Sequence, residues 1–184
     1  LVRNLRINQN KIIWMKMASA IMTTDTRPKV AYSEIKIGDK TIRIAGVAKG
    51  SGMIAPNLAT MFAFIFTNAD ISSPVLNKYL NKVLSSTFNA ITIDSDTSTN
   101  DMVAIFATKK IKSKKLNTTS SKEGLKFEKG LKTVCLDLAK QIVVDGEGAK
   151  KFITIKIINS ETVERAKKIA FSIANSPLVK TAIA

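Results

Sequence analysis

Thr60 is the residue of this 184-residue chain whose type and setting best suit covalent chemistry. It ends a loop of small residues that starts at Gly50, and the apolar run 61–66 follows it directly. A threonine hydroxyl is a poor nucleophile until a base removes its proton, and histidine, lysine or a free terminal amine usually does so. The chain contains no histidine. The base for Thr60 would therefore be a lysine, a carboxylate or the residue's own α-amine, freed by breaking the peptide bond before it.

The position of Thr60 in the sequence favours its own α-amine as the base. The run 61–66 is apolar on both faces, which predicts a strand that is buried on both sides. An α-amine has a pKa of about 8, near enough to neutral pH for a general base. Breaking the bond between Ala59 and Thr60 would leave a nucleophile and its base together at the rigid end of a core strand.

Two other segments suggest binding chemistry on first inspection. Lys49 precedes a Gly-Ser-Gly turn, but the spacing of a Walker phosphate loop is absent, and a plain glycine turn explains the glycines without explaining the lysine. Asp94, Asp96 and Asp101 resemble a calcium loop, but they lack its glycine at position six and its glutamate at position twelve. A hydrogen-bonded loop is the interpretation we favour for 94–101, with no metal and no cofactor. Asp145 and Glu147 could equally form a turn after a helix.

Composition narrows the class of protein. The formal net charge is +15, and many of its lysines lie between residues 109 and 132, where arginine is absent and Phe127 is the one aromatic residue. Such a run is either an electrostatic surface for nucleic acid or a solvated, lysine-rich insertion, and the missing arginines favour the insertion. The single cysteine, Cys135, excludes an intrachain disulfide and predicts an intracellular, cytoplasmic protein. No apolar run approaches the length of about 18 residues that a membrane helix needs, so we predict no membrane association.

Hydrophobic periodicity predicts interleaved helices and strands. Turn signals at Gly38 separate two alternating runs and predict a hairpin, while Ser72, Ser73 and Pro74 predict a helix start. The predicted helices are 12–21, 72–84, 125–142 and 160–174, and the predicted strands are 30–37, 41–47, 61–66, 89–93 and 151–158. The fold class is α/β or mixed α+β, with mixed or antiparallel sheets in a layered sandwich flanked by helices.

Four segments, in this order along the chain, resemble the ornithine acetyltransferase family of arginine biosynthesis: 18–26, 48–61, 94–101 and 145–149. The resemblance implies an N-terminal-nucleophile-like fold and self-cleavage between Ala59 and Thr60. It makes 1–59 the end of an alpha-chain portion and 60–184 the start of a beta-chain portion, both central parts of one catalytic region. It further implies that N- and C-terminal parts of the protein, including an oxyanion-hole Thr-Gly pair, lie outside 1–184.

The same resemblance assigns roles to individual residues. Thr60 would take the acetyl group of N-acetylornithine as an ester and pass it to glutamate, and Thr23, Lys49, Thr60 and Glu147 fall on substrate-contacting positions. Acetyl-CoA serves some members as a donor, and the cleaved alpha and beta chains would assemble, as a heterotetramer. Three features depart from the family's pattern: Ser95 in place of a glycine, Asn68 in place of a common aspartate, and the insertion near Lys114.

Two other functions remain open at this point. A self-processing aminopeptidase or amidase of similar architecture would use water where the acetyltransferase uses glutamate. A basic nucleic-acid-binding module is a less favoured alternative that depends on the lysines of 109–132.

Overall fold

The computed structural model describes residues 10–52, 61–95, 101–112 and 114–184, except for the side chains of Lys114 and Lys115. Its centre is a four-stranded mixed sheet with the order β1-β2-β3-β4: β1 is Lys29–Ile37, β2 is Lys40–Lys49, β3 is Phe62–Ala69 and β4 is Met102–Ile111. The helices are α1 (Lys11–Ala20), α2 (Ser73–Leu84), α3 (Lys122–Val144), α4 (Val163–Ala174) and α5 (Pro177–Ile183). Short 3-10 turns cover Phe88–Ala90 and Lys114–Asn117. The chain is thus a mixed α/β fold, as its periodicity predicts.

The predicted hairpin is confirmed. β1 and β2 pair antiparallel from Lys29 opposite Ala48 to Ile37 opposite Lys40. Gly38 makes the turn between them with a φ of +63°, a backbone conformation that glycine adopts without steric cost. β3 continues the sheet antiparallel to β2, and β4 lies parallel to β3.

The long helix α3 covers one face of the sheet and buries one side of itself in the core. Its buried side chains recur at helical spacing, and they include Phe127, Leu131, Val134, Cys135, Leu138 and Ile142. Close approach depends on small residues: a Cβ on Gly46 of β2 would lie 2.9 Å from Leu138 Cδ1. α2 lies beside α3, where the ring centroids of Tyr79 and Phe127 are 5.0 Å apart.

The opposite face of the sheet carries the aromatic residues of β3. Phe62, Phe64 and Phe66 alternate with the buried Ala63 and Ile65, because successive side chains of a strand point to opposite faces. On this face the ring of Trp14 in α1 meets Phe66 edge-on at 5.4 Å, and Phe66 stacks on Phe106 of β4 at 5.2 Å. Trp14, which the apolar pattern around it predicts to lie in the core, is only partly buried and packs on this aromatic face instead.

Two of the predicted elements are not observed, and two observed elements are absent from the prediction. Residues 89–93 and 151–158 form no strand, because no described strand lies alongside them to accept a hydrogen-bonded ladder; Phe152 and Ile158 remain 47% and 68% exposed. The helix predicted over 160–174 is confirmed as α4, and a further short helix, α5, follows it, since Ser176 caps a helix whose first turn holds Pro177. β4 is absent from the prediction, because its lysines at 109 and 110 concealed an apolar strand within the basic run.

Candidate active site

Three segments meet at the end of β2: residues 23–27 before β1, residues 49–52 at and just after the last residue of β2, and residues 145–147 after α3. The Thr24 and Ser51 hydroxyl oxygens lie 2.6 Å apart, and the Glu147 amide donates to the Ser51 carbonyl at 2.7 Å. The structure therefore brings together the three segments that carry Thr23, Lys49 and Glu147.

Asp25 joins the first two loops. One of its carboxylate oxygens accepts from the Gly50 amide at 2.6 Å, and the other accepts from the Thr23 amide at 3.2 Å. Burial acts to raise the pKa of Asp25, but the Gly50 amide and the Lys29 ammonium outweigh it, so that the pKa lies below its usual value. Asp25 is an anion that fixes where Lys49 and Gly50 leave the sheet.

Lys29 joins the first loop to the third. Its ammonium lies 2.6 Å from Asp25 Oδ1 and 2.5 Å from Asp145 Oδ2, and the residue is only 1% exposed. Asp145, the C-cap residue that follows α3, also accepts hydrogen bonds from the Thr26 amide at 3.0 Å and the Thr26 hydroxyl. Burial acts to raise the pKa of Asp145, but the bonds from Lys29 and Thr26 lower it overall. We call Asp25, Lys29 and Asp145 the buried triad.

The buried triad and Lys49 occupy opposite faces of the sheet. Residues paired across neighbouring strands share a face, so Lys29, which pairs with Ala48, faces α3. Lys49 pairs with Phe62 and faces the aromatic side. The loop 23–27 reaches both sides, because Asp25 binds Lys29 while Thr23 binds Lys49.

Lys49 is a buried cation with one hydrogen-bond partner recorded among the described residues. Its Nζ donates to Thr23 Oγ1 at 3.1 Å and lies 5.3 Å from the centre of the Phe62 ring, while the residue is 5% exposed. An ammonium has three donors, so capacity remains for an anionic ligand. A hydroxyl and an aromatic face beside a buried ammonium suit a substrate carboxylate.

Glu147 lies at the rim, where its carboxylate can reach solvent. Gly52 permits this position: a Cβ added there would lie 3.1 Å from the Glu147 carboxyl carbon. The loops that carry Glu147 and Lys49 meet at Ser51, and their two charges are opposite to the ammonium and the carboxylate of an amino acid.

Asp101 immediately precedes β4 and contacts Met61, the residue that follows the proposed nucleophile in sequence. Its Oδ1 accepts from the Met61 amide at 2.5 Å, and the following amide, that of Met102, donates to the Met61 carbonyl at 3.0 Å. The loop 94–101 thus delivers a carboxylate to the residue after Thr60. Ala59, Thr60, Asp96 and the rest of 96–100 lie outside the described residues, so the cleavage junction stays a prediction.

The buried triad has no role in the sequence predictions. In the sequence, Asp25 belongs to a segment that resembles the family, and Asp145 is expected in a turn. Lys29 has no feature that predicts a role, except that it lies four residues after Asp25. An aspartate and a lysine at that spacing on either side of Pro28 could have suggested the pair, but the partnership with Asp145 spans 116 residues.

Comparison with known proteins identifies the family. The sequence matches the ArgJ family over residues 2–184. The chain belongs to the ArgJ family. Proteins named "Arginine biosynthesis bifunctional protein ArgJ" from Mesorhizobium japonicum and Zymomonas mobilis are 49% and 48% identical to it over 94% and 93% of this chain.

A solved ArgJ structure has the same fold. The crystal structure of the ArgJ protein from Bacillus halodurans matches with a TM-score of 0.59 and 40% identity, over 65% of this chain and 56% of that one. The chain therefore has the N-terminal-nucleophile fold of the ArgJ family. It spans 42% of the length of the curated ArgJ relatives named above.

Cys135 and the lysine-rich run lie outside these three loops. Cys135 is buried in α3, and burial raises the pKa of its thiol to about 12, which leaves it protonated and unreactive. Lys109, Lys110, Lys122, Lys126, Lys129 and Lys132 are exposed on β4 and α3, as on a solvated face. Within the described ranges, no group of three acidic, cysteine or histidine side chains could hold a metal ion, and no helix is long and apolar enough to cross a membrane.

Proposed function

We propose that the intact protein transfers an acetyl group from N-acetylornithine to glutamate, in arginine biosynthesis, through an ester on Thr60. Membership of the ArgJ family and the meeting, at the end of β2, of the loops that carry Thr23, Lys49 and Glu147 support this assignment. The observation that carries it is the buried Lys49 ammonium, which is 5% exposed and lies beside the start of the strand that follows Thr60.

The nucleophile would form by self-cleavage. The Thr60 hydroxyl attacks the Ala59 carbonyl carbon, the Ala59–Thr60 C–N bond breaks, and the hydroxyl proton passes to the departing nitrogen. Water then opens the resulting ester, which leaves a carboxylate on Ala59 and a free hydroxyl and α-amine on Thr60. The α-amine is the base that a chain without histidine needs.

Transfer would proceed in two half-reactions. The Thr60 oxygen bonds to the acetyl carbon of N-acetylornithine, the amide C–N bond breaks, and the α-amine carries the hydroxyl proton to the departing ornithine amine. The amine of glutamate then attacks the acetyl ester, and its proton returns through the α-amine to the Thr60 oxygen. Acetyl-CoA could load the same ester as an alternative donor.

Lys49 and Glu147 would hold the two ends of the amino acid. Lys49 binds the substrate carboxylate and Glu147 the ammonium, so that the acyl group is fixed relative to Thr60. Lys49→Glu should raise KM for the amino acid or abolish turnover, and Lys36→Glu, at an exposed lysine of β1, is the matched control. Unchanged kinetics in Lys49→Glu would contradict this binding role.

Mass spectrometry of the intact protein under denaturing conditions tests the nucleophile. We expect two pieces in the wild type, the second beginning with Thr60, and one uncut chain in Thr60→Ala. Deacetylation of N-acetylornithine should depend on added glutamate. Equal rates with glutamate and with water alone would instead identify an amidase.

A further inference from the structure

Ser51 is a buried serine that contacts both of the other segments of the candidate site. Its hydroxyl oxygen lies 2.6 Å from that of Thr24, and its carbonyl accepts a hydrogen bond from the Glu147 amide at 2.7 Å. The residue is 2% exposed, so little water competes for either bond. Ser51 therefore joins the loop that carries Thr23 to the loop that carries Glu147.

The loop 23–27 holds three consecutive residues at the end of β2, each by a separate hydrogen bond. Such a series of contacts leaves the backbone between Lys49 and Ser51 little freedom to move. The bonds join Lys49 to Thr23, Gly50 to Asp25 and Ser51 to Thr24.

Glu147 lies against the same segment with both its backbone and its side chain. Its amide binds the Ser51 carbonyl, and a Cβ added to Gly52 would lie 3.1 Å from its carboxyl carbon and 3.2 Å from each carboxylate oxygen. Ser51 follows Lys49 by two residues, so their α-carbons are at most about 7 Å apart. The position of the Glu147 carboxylate relative to Lys49 is therefore set through Ser51.

This arrangement has a consequence for the length of the acyl donor. The α-nitrogen of N-acetylornithine is an uncharged amide, so its ammonium lies at the end of the side chain and its carboxylate on the α-carbon. A site that binds both charged ends responds to the number of methylene groups between them. One methylene group in a fitted site changes kcat/KM by about 10- to 200-fold.

We propose that Ser51 is a positioning residue that selects the acyl donor by its length, because it fixes the Glu147 carboxylate at one separation from Lys49. The inference rests on the proposed function, in which Lys49 binds the carboxylate of the donor and Glu147 its ammonium. The Ser51 hydroxyl holds the segment against Thr24, and the Ser51 carbonyl holds the Glu147 loop.

A series of acetyl donors tests this role in the intact protein. The α-N-acetyl derivatives of 2,4-diaminobutyrate, ornithine and lysine differ by one methylene group each. For the wild type, kcat/KM should be highest with the ornithine derivative and about tenfold or more lower with the other two. In Ser51→Ala this preference should fall about tenfold, because Glu147 is then free to follow donors of other lengths. A purely structural role would lower kcat/KM for all three donors by the same factor.

Thr24→Val removes the same hydrogen bond from its other side and keeps the shape of the side chain. It should weaken the preference as Ser51→Ala does, and the double variant should add little to either single change. Thr24→Val also carries the test if Ser51→Ala fails to fold.

Thr67→Val is the matched control. The Thr67 hydroxyl is also buried and accepts from the Ala69 amide at 3.2 Å, but Thr67 lies five residues along β3 from Phe62, about 16 Å away. Its urea unfolding midpoint should fall about as far as that of Ser51→Ala, whereas its preference among the three donors should equal that of the wild type.

The outcomes separate this inference from the proposed function. A wild type that transfers acetyl groups to glutamate from none of the three donors refutes both. An active wild type refutes this inference alone if it uses the three donors equally, or if its preference persists unchanged in Ser51→Ala and Thr24→Val.

Discussion

Lys29 and Asp145 form a 2.5 Å ion pair although 116 residues separate them in sequence. Both are buried, and Asp25 completes the triad on the other side of the ammonium at 2.6 Å. One lysine thereby joins the loop that carries Thr23 to the loop that carries Glu147. The triad carries two negative charges and one positive charge, so removing Lys29 leaves two buried carboxylates without their cation.

Lys29→Met should therefore lower the free energy of unfolding by about 3 kcal/mol or more, the usual cost of breaking a buried pair from one side. Urea unfolding of the intact protein measures it. Lys36→Met is the control, because that lysine lies exposed on the same strand, and its midpoint should hardly move. A Lys29→Met midpoint equal to that of Lys36→Met would mean that the triad contributes no stability.

The triad also predicts how stability depends on pH. The pKa values of Asp25 and Asp145 lie below their usual value of 3.8 in the folded protein. Their contribution is complete above the unfolded pKa and is lost as pH falls through the folded pKa values. The urea midpoint should thus decline below about pH 4, the unfolded pKa of an aspartate.

In Lys29→Met this acid decline should be smaller than in the wild type. Without the ammonium, the pKa values of Asp25 and Asp145 in the folded protein rise toward the unfolded value, so acidification removes less stability. Superimposable acid limbs for the wild type and Lys29→Met would show that the lysine does not hold these pKa values down.

Sequence reasoning succeeds here where structure is local and fails where it depends on distant partners. The β1–β2 hairpin and α3 follow from alternation, a glycine turn and helical spacing within one segment. Residues 151–158 alternate in the same way, but a strand exists only when another strand lies alongside it, and the segment itself cannot specify that strand.

The candidate site shows the same difference between local motifs and contacts across the fold. Thr23, Lys49 and Glu147 are candidates because short motifs resemble those of a family, and the structure brings their loops together; their role as substrate contacts stays a prediction. The residues that hold these loops in place were not predictable, because Lys29 and Asp145 gain meaning only from a contact across the fold. The sequence predicts that Asp101 lies in a polar loop, and only its hydrogen bond from the Met61 amide shows that it lies beside the start of β3.

Ser95 stands where the family's pattern has glycine, and its φ is +73°. This left-handed conformation costs a residue with a Cβ about 1 kcal/mol, whereas glycine adopts it freely. Ser95→Gly should therefore raise the free energy of unfolding by about 1 kcal/mol, less the small entropic cost of a new glycine. Chemical denaturation measures the change.

Gly38→Ser is the mirror control, because Gly38 has a φ of +63° and a Cβ there would meet nothing within 4 Å. The two substitutions should shift stability in opposite directions by similar amounts. Destabilisation by Ser95→Gly would mean that the serine side chain, whose oxygen lies 3.4 Å from Lys180 Nζ, matters more than its backbone.

Gly52→Ala should act through Glu147. The added Cβ would lie 3.1 Å from the Glu147 carboxyl carbon and displace that side chain, which is exposed and free to move. We expect KM for N-acetylornithine to rise while the unfolding midpoint stays near the wild-type value. Steady-state kinetics of Gly52→Ala, Glu147→Gln and the double variant measure this, and the two effects should be non-additive. Fully additive effects would show that Gly52 does not act through Glu147.

Lys29 and Lys49 lie on opposite faces of the sheet, yet the loop 23–27 forms hydrogen bonds with both of them. A screen that scored turnover alone would consequently return substitutions from the helical side of the molecule. Such substitutions would resemble defects in substrate binding, although the altered side chains lie on the face of the sheet opposite to Lys49.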